Sequence, residues 1–125
     1  MNQKIEVNVK PLSAMRYKTL GDFFYDKDGT LVIETADIGN PLFNKLILIH
    51  EFIEQTLTEE LEIDEPDIKA FDEAHPDADD PGMLPDAIYA DQHLLADAVE
   101  RLMLSHLGIP YKNYEDACKK TWDGK

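Results

Sequence analysis

The run "LFNKLILIHEFIEQTL", residues 42–57, constrains this chain more than any other stretch. Stepping about 100° per residue from Phe43 puts Leu46, Ile47, Ile53, Leu57 and Leu61 in one arc, as a helix burying one face requires. His50 and Glu54 fall in the same arc. They stand four apart, so their side chains are neighbours one turn from each other. Leu48, Ile49 and Phe52 lie on the other faces, so residues 46–53 are apolar nearly all round, the pattern of a buried helix. A buried carboxylate must be paired, hydrogen-bonded, protonated or bound to a metal.

The flanks set the bounds of this helix. Asn40 supplies an N-cap and Pro41 suits the first helical position, so the helix is expected over 41–61. Upstream, "KIEVNVK" alternates, with Ile5, Val7 and Val9 on one face of a strand. Two further β-favouring runs, Phe23–Tyr25 and Thr30–Thr35, flank "DKDG", a hairpin signal because Gly29 can take positive φ. Downstream, Asp64 is placed to cap a second helix ending near Ala74, and "HPDADDPGMLPD" reads as a loop. A third helix is expected over 87–107, stopped by Gly108 and Pro110. "NYEDACKKTW" reads as a short fourth helix packing through Tyr114, Ala117 and Trp122. The expected fold is α+β: a three-stranded antiparallel N-terminal sheet, then three to four helices, in a single domain over 1–125.

Composition narrows the function classes. Hydrophobic residues make up 43% and charged residues 30% of the 125, which suits a folded domain. The net charge of −14 argues against direct nucleic-acid binding, since phosphates would be repelled. No apolar run is long enough for a membrane helix, and the N-terminus lacks the apolar centre of a secretory signal. A single cysteine, Cys118, rules out an internal disulfide and points to a reducing, cytoplasmic setting. It reads as a small core residue. Between Glu59 and Asp80 the chain carries 11 acidic residues and one lysine. This stretch reads as a solvated edge, a cation site, or a surface for a basic protein partner.

His50-Glu51-Phe52-Ile53-Glu54 is an HExxE arrangement. One helical turn brings the imidazole and the second carboxylate to one point, the logic by which HExxH places two histidines on zinc. The order of "GDFFYDKDGTLVI", "LILIHEFIE", "AFD" at 70–72, Tyr89 with His93, and "VERL" at 99–102 resembles a group of small uncharacterised phage- and prophage-encoded proteins. The resemblance covers roughly residues 16–107 and implies an arrangement, not an activity. More widely, a sheet preceding an HExxE helix resembles zincin-like folds. Glu54 departs from the second histidine of that pattern, which bears on both the metal and any peptidase activity.

Zinc takes three or four protein ligands. His93 is the first candidate for a third. It stands off the strong apolar stripe Ile88, Leu95, Val99 and Leu102, but Tyr89, Ala96, Glu100 and Leu107 share its side. Asp72 is the second, as a ligand or as a group orienting a ligand histidine; Ile68, Phe71 and His75 share its side of the helix. His75 reads as exposed, and His106 as a core or interface histidine. "DKDG" is read as a turn and not an EF-hand, for lack of the remaining acids.

Two functions stand against each other. In the first, His50, Glu54, His93 and Asp72 supply ligands to a divalent metal, zinc above others, and Glu51 acts as general base on water in hydrolysis, with peptide or amide bonds among the substrates. In the second, the His50/Glu54 pair is structural and the acidic surface engages a basic partner. Magnesium-dependent nucleotide hydrolysis through Glu51 and Glu54 ranks third, since no nearby cation is placed to meet phosphates.

Overall fold

The computed structural model describes residues 3–124. Three strands, β1 (Ile5–Lys10), β2 (Gly21–Tyr25) and β3 (Leu31–Ala36), precede four helices: α1 (Pro41–Glu60), α2 (Glu65–Ala74), α3 (Ala90–Leu107) and α4 (Tyr111–Trp122). The fold is α+β, as expected. No helix among the described residues is long and apolar enough to cross a membrane.

The sheet is mixed, which corrects the all-antiparallel expectation. Its order is β1-β3-β2. β2 and β3 form the antiparallel hairpin, with Phe23 opposite Ile33. Asp26 accepts hydrogen bonds from the Asp28 and Thr30 amides, and Gly29 takes φ 79°. β1, however, runs parallel to β3, with Val7 beside Ile33. Residues 11–20 are long enough to carry the chain across the sheet, so β1 lies on the far edge of β3 instead of pairing with β2. All six residues of β3 are buried. At the edge, β1 leaves Ile5, Val7 and Val9 exposed, so the alternation marks a strand but not a core face.

Leu31, Ile33 and Phe23 pack against Ile68 of α2 and against Ala87 and Tyr89 just before α3. A second cluster joins Ile38, Phe43, Leu46 and Ile47 to Leu104 and Tyr114. The other face of the sheet mixes Phe24, Val32 and Ala36 with paired charges. Arg16 pairs with the buried Asp22 at 2.7 Å, and Lys10 with the buried Glu34 at 2.8 Å.

The helix limits follow local chemistry. Asn40 Oδ1 accepts from the Leu42 and Phe43 amides at 2.9 and 3.1 Å, and Pro41 starts α1. Gly108, at φ 69°, ends α3. Asp64 precedes α2, but its side chain makes no capping bond. α3 begins at Ala90, not Ala87, because residues 87–89 form a turn against the sheet. In α4, Tyr114 is buried, while Trp122 is half-buried with Lys18 over its ring.

Two expectations about the helices are inverted. α1 is not buried all round: Phe52 is exposed, and Ile49 and Ile53 are half-buried. On α3, the side carrying His93, Ala96 and Glu100 faces inward, while Leu95 and Leu102 face out. His106, expected in the core or at an interface, is not in the core but exposed, and His75, expected to be exposed, is half-buried over Phe71. Hydrophobicity alone would have turned α3 the other way. The polar groups on its inner side have partners waiting on α1, and those partners set the rotation.

Candidate metal centre

α1 and α3 run antiparallel: Leu46 shares a cluster with Leu104, and His50 meets both Glu100 and His93. Between them lies a group of three potential ligands, His50, Glu54 and His93, all buried. Glu54 Oε2 stands 3.0 Å from His50 Nε2 and 2.7 Å from His93 Nδ1. The two imidazole nitrogens are 3.0 Å apart. The rings meet edge to face, with centroids 4.6 Å apart.

Each outer nitrogen faces a carboxylate. His50 Nδ1 pairs with Glu100 Oε1 in a short contact. His93 Nε2 lies 3.0 Å from Asp80 Oδ1, an ionic contact whose angle leaves the buried nitrogen without a hydrogen bond. A neutral imidazole carries one proton. Carboxylates at Nδ1 of His50 and Nε2 of His93 draw that proton outward. His50 Nε2, His93 Nδ1 and Glu54 Oε2 are then three acceptors converging with no donor among them. Such a group needs a positive charge at its centre, a metal ion or extra protons.

Without a metal, protons take that role. Burial opposes the charged form of His50, but hydrogen bonds to Glu100 and Glu54 override it and hold its pKa well above the ordinary range. Burial likewise works against His93, and Asp80 and Glu54 outweigh it, raising the pKa to about 10. Burial pushes Glu54 up, yet His50 and His93 together bring it below the usual carboxylate value.

Glu51 lines the same cavity, of about 300 Å³, as His50, Glu54 and His93. Burial raises its pKa well above the usual value, and the neighbouring charge of Glu54 adds to the rise. Its carboxyl group rests on Gly21. A Cβ at that position would lie 2.7 Å from Glu51 Cδ and 2.8 Å from Oε2. Gly82 does the same for His93, where a Cβ would come within 2.5 Å of ring atoms Cγ and Nδ1. Two glycines thus make room for the Glu51 and His93 side chains.

Asp72, expected as a ligand or as a group orienting a ligand histidine, stands outside the three-residue group. Its carboxylate accepts from the Tyr89 hydroxyl and, at 2.9 Å, from Tyr17. Burial raises its pKa, against the lowering effect of both phenols. It borders the cavity and fixes Tyr89, which packs edge to face on His93. Glu100 and Asp80 were not singled out from the sequence. Glu100 had a readable signal, a carboxylate two turns from His93 on a face otherwise carrying Ala96 and Leu104. Asp80 had none, since it lies in an acidic loop whose path depends on the tertiary fold.

No protein-family model, curated protein or solved structure matches this chain.

Proposed function

We propose that this protein binds a divalent metal, zinc above others, through His50 Nε2, Glu54 Oε2 and His93 Nδ1, and uses it in hydrolysis with Glu51 as general base. The observation that carries the reading is the convergence of three buried acceptor atoms, 2.7–3.0 Å apart, with a carboxylate facing the far nitrogen of each histidine. Two imidazoles and a carboxylate form a donor set that zinc accepts. Tetrahedral zinc with bonds of roughly 2.0–2.1 Å wants its ligands about 3.3 Å apart, so the three atoms need to part by about 0.3–0.6 Å.

A bound metal of this kind acts as a Lewis acid and makes water a stronger acid. The residues supply the rest. Glu100 holds the His50 imidazole in the orientation and tautomer that direct its lone pair inward, and the Asp80 charge faces the outer nitrogen of His93. Glu51, seated on Gly21 at the cavity wall, takes a proton from water and returns it to the leaving group. Tyr17 and Tyr89 shape the wall through Asp72. Peptide and amide bonds are the substrate class that this reading favours.

The test separates binding from chemistry. Glu51→Gln should keep the bound zinc and lose hydrolysis of a mixed peptide library followed by mass spectrometry. His93→Ala should lose both. Zinc-loaded wild type that cleaves nothing in the library would reduce the reading to metal binding. Cleavage that survives Glu51→Gln would remove Glu51 from its role.

A further inference from the structure

α1 and α3 turn their polar residues toward each other and the cavity, and a second, apolar side toward solvent. On α3 this side carries Leu95, 51% exposed, and Leu102, 70% exposed, with Val99 half-buried between them. On α1 it carries Ile49 and Ile53, both half-buried, with the exposed Phe52 beside them. The two stripes adjoin. In an antiparallel pair, residues displaced in the same rotational sense from the mutual contact line lie on the same side of the pair. Ile49 and Ile53 precede His50 and Glu54 around α1 in the sense in which Val99 and Met103 precede Glu100 and Leu104 around α3, and Leu95 and Leu102 carry the stripe on round the outer side of α3. Leu42 and Met103 continue the face at one end, where both pack on the Leu46–Leu104 cluster.

We propose that this face is covered by a second copy of the chain, in a four-helix arrangement of two α1/α3 pairs. Charge supports this occupant. The chain carries 26 acidic residues, yet the centre of the face, from Ile49 to Ile53 and from Leu95 to Val99, shows none toward solvent except the cavity-facing Glu51 and Asp97 side chains, which are buried. The ends are of opposite sign. Lys45 lies near the start of α1, close to the end of α3, and Glu60 and Asp91 lie at the opposite end of the pair; all three are exposed. A two-fold axis running across the helices sets the Lys45 end of each copy against the Glu60/Asp91 end of the other.

Area agrees as well. Twenty helical residues span about 30 Å, and two helices side by side are about 20 Å wide, giving a projected face of about 600 Å². Corrugated side chains carry the accessible area toward the roughly 800 Å² per partner of a stable interface. The inference is independent of the metal reading, since the cavity opens on the other side of the same helix pair.

Sedimentation velocity on the full chain tests it. The expected result is twice the 14.3 kDa chain mass at micromolar concentration. In the paired variant Leu95→Glu and Leu102→Glu, the dissociation constant should rise by about a hundredfold or more, with far-UV circular dichroism unchanged. If that variant does not fold, Leu102→Glu alone replaces it, because Leu102 is the most exposed of the large apolar side chains on the face. A monomeric wild type across the micromolar range overturns the proposal, whether or not it binds zwitterionic vesicles through this face. So does a folded charged variant that stays dimeric.

Discussion

His50 and Glu100 meet across the boundary between α1 and α3, the imidazole Nδ1 against Oε1 of the buried carboxylate. Glu100 is itself held up in pKa by burial, with His50 and the phenol of Tyr114 pulling the other way. The pair ties the rotation of α3 to the tautomer of His50. Replacing Glu100 with Gln keeps the shape and removes the charge. Zinc affinity in Glu100→Gln should fall by about 10–100-fold, read by competition with a chromogenic chelator. An unchanged affinity would show that Glu100 does not orient His50.

Gly82 and Gly21 are required for space. Gly82→Ala drives a methyl group to 2.5 Å from the His93 ring, and Gly21→Ala drives one to 2.7 Å from the Glu51 carboxyl carbon. Each should destabilise the fold by about 1–3 kcal/mol in urea titration. Their functional effects should divide: Gly82→Ala weakens zinc binding, whereas Gly21→Ala leaves it nearly intact and impairs turnover. If the two variants bind zinc equally well, the division of labour between His93 and Glu51 is wrong.

The metal-free protein should lose stability as the solution turns alkaline. His93 has a folded pKa of about 10, above its ordinary value. Its contribution is therefore complete below about pH 6.5, the unfolded value, and disappears as pH rises through about 10. Glu51, whose carboxyl pKa is raised mainly by burial, works in the same direction from lower pH. Thermal melts of chelator-treated protein between pH 6 and 10 should show a falling Tm. Zinc should flatten or reverse that fall, since the metal competes with the protons. A Tm that rises with pH in the metal-free state would contradict the convergent-acceptor geometry.

Cys118 should be nearly inert. Burial, with the Glu100 charge nearby, pushes its thiol up to about 12. At pH 8 its thiolate fraction is then about a thousandfold below that of a free cysteine. Alkylation of the native protein with iodoacetamide should be slower than in denaturant by a factor of that order. Fast native labelling would show that α4 does not turn Cys118 toward the Leu46–Leu104 cluster.

Much of the fold was legible because local rules and tertiary structure agree. Asn40-Pro41 starts a helix, Asp26 to Gly29 turns a hairpin, and Gly108 ends α3, each by chemistry contained within a few residues. The parallel placement of β1 was not legible, because the crossover over residues 11–20 is decided by packing far from either strand. The site was legible along α1, where His50 and Glu54 share a turn. On α3 the apolar stripe misled. Leu95 and Leu102 face solvent because His93 and Glu100 find partners inside, and burying those polar groups unpaired would cost more than leaving the leucines exposed. Asp72 shows a related ambiguity. Its acidity suits a ligand, but two tyrosine hydroxyls, one of them from residue 17, already occupy its carboxylate.

The most direct measurement is the metal content of the native full-length chain, by inductively coupled plasma mass spectrometry beside a protein assay, with zinc titration of the chelator-treated form. The geometry of His50, Glu54 and His93 predicts about one zinc per chain, tightly held, retained in Glu51→Gln and lost in His50→Ala. Native protein that carries no transition metal, and takes up none when titrated while still folded, would mean that protons alone fill the centre between these three groups.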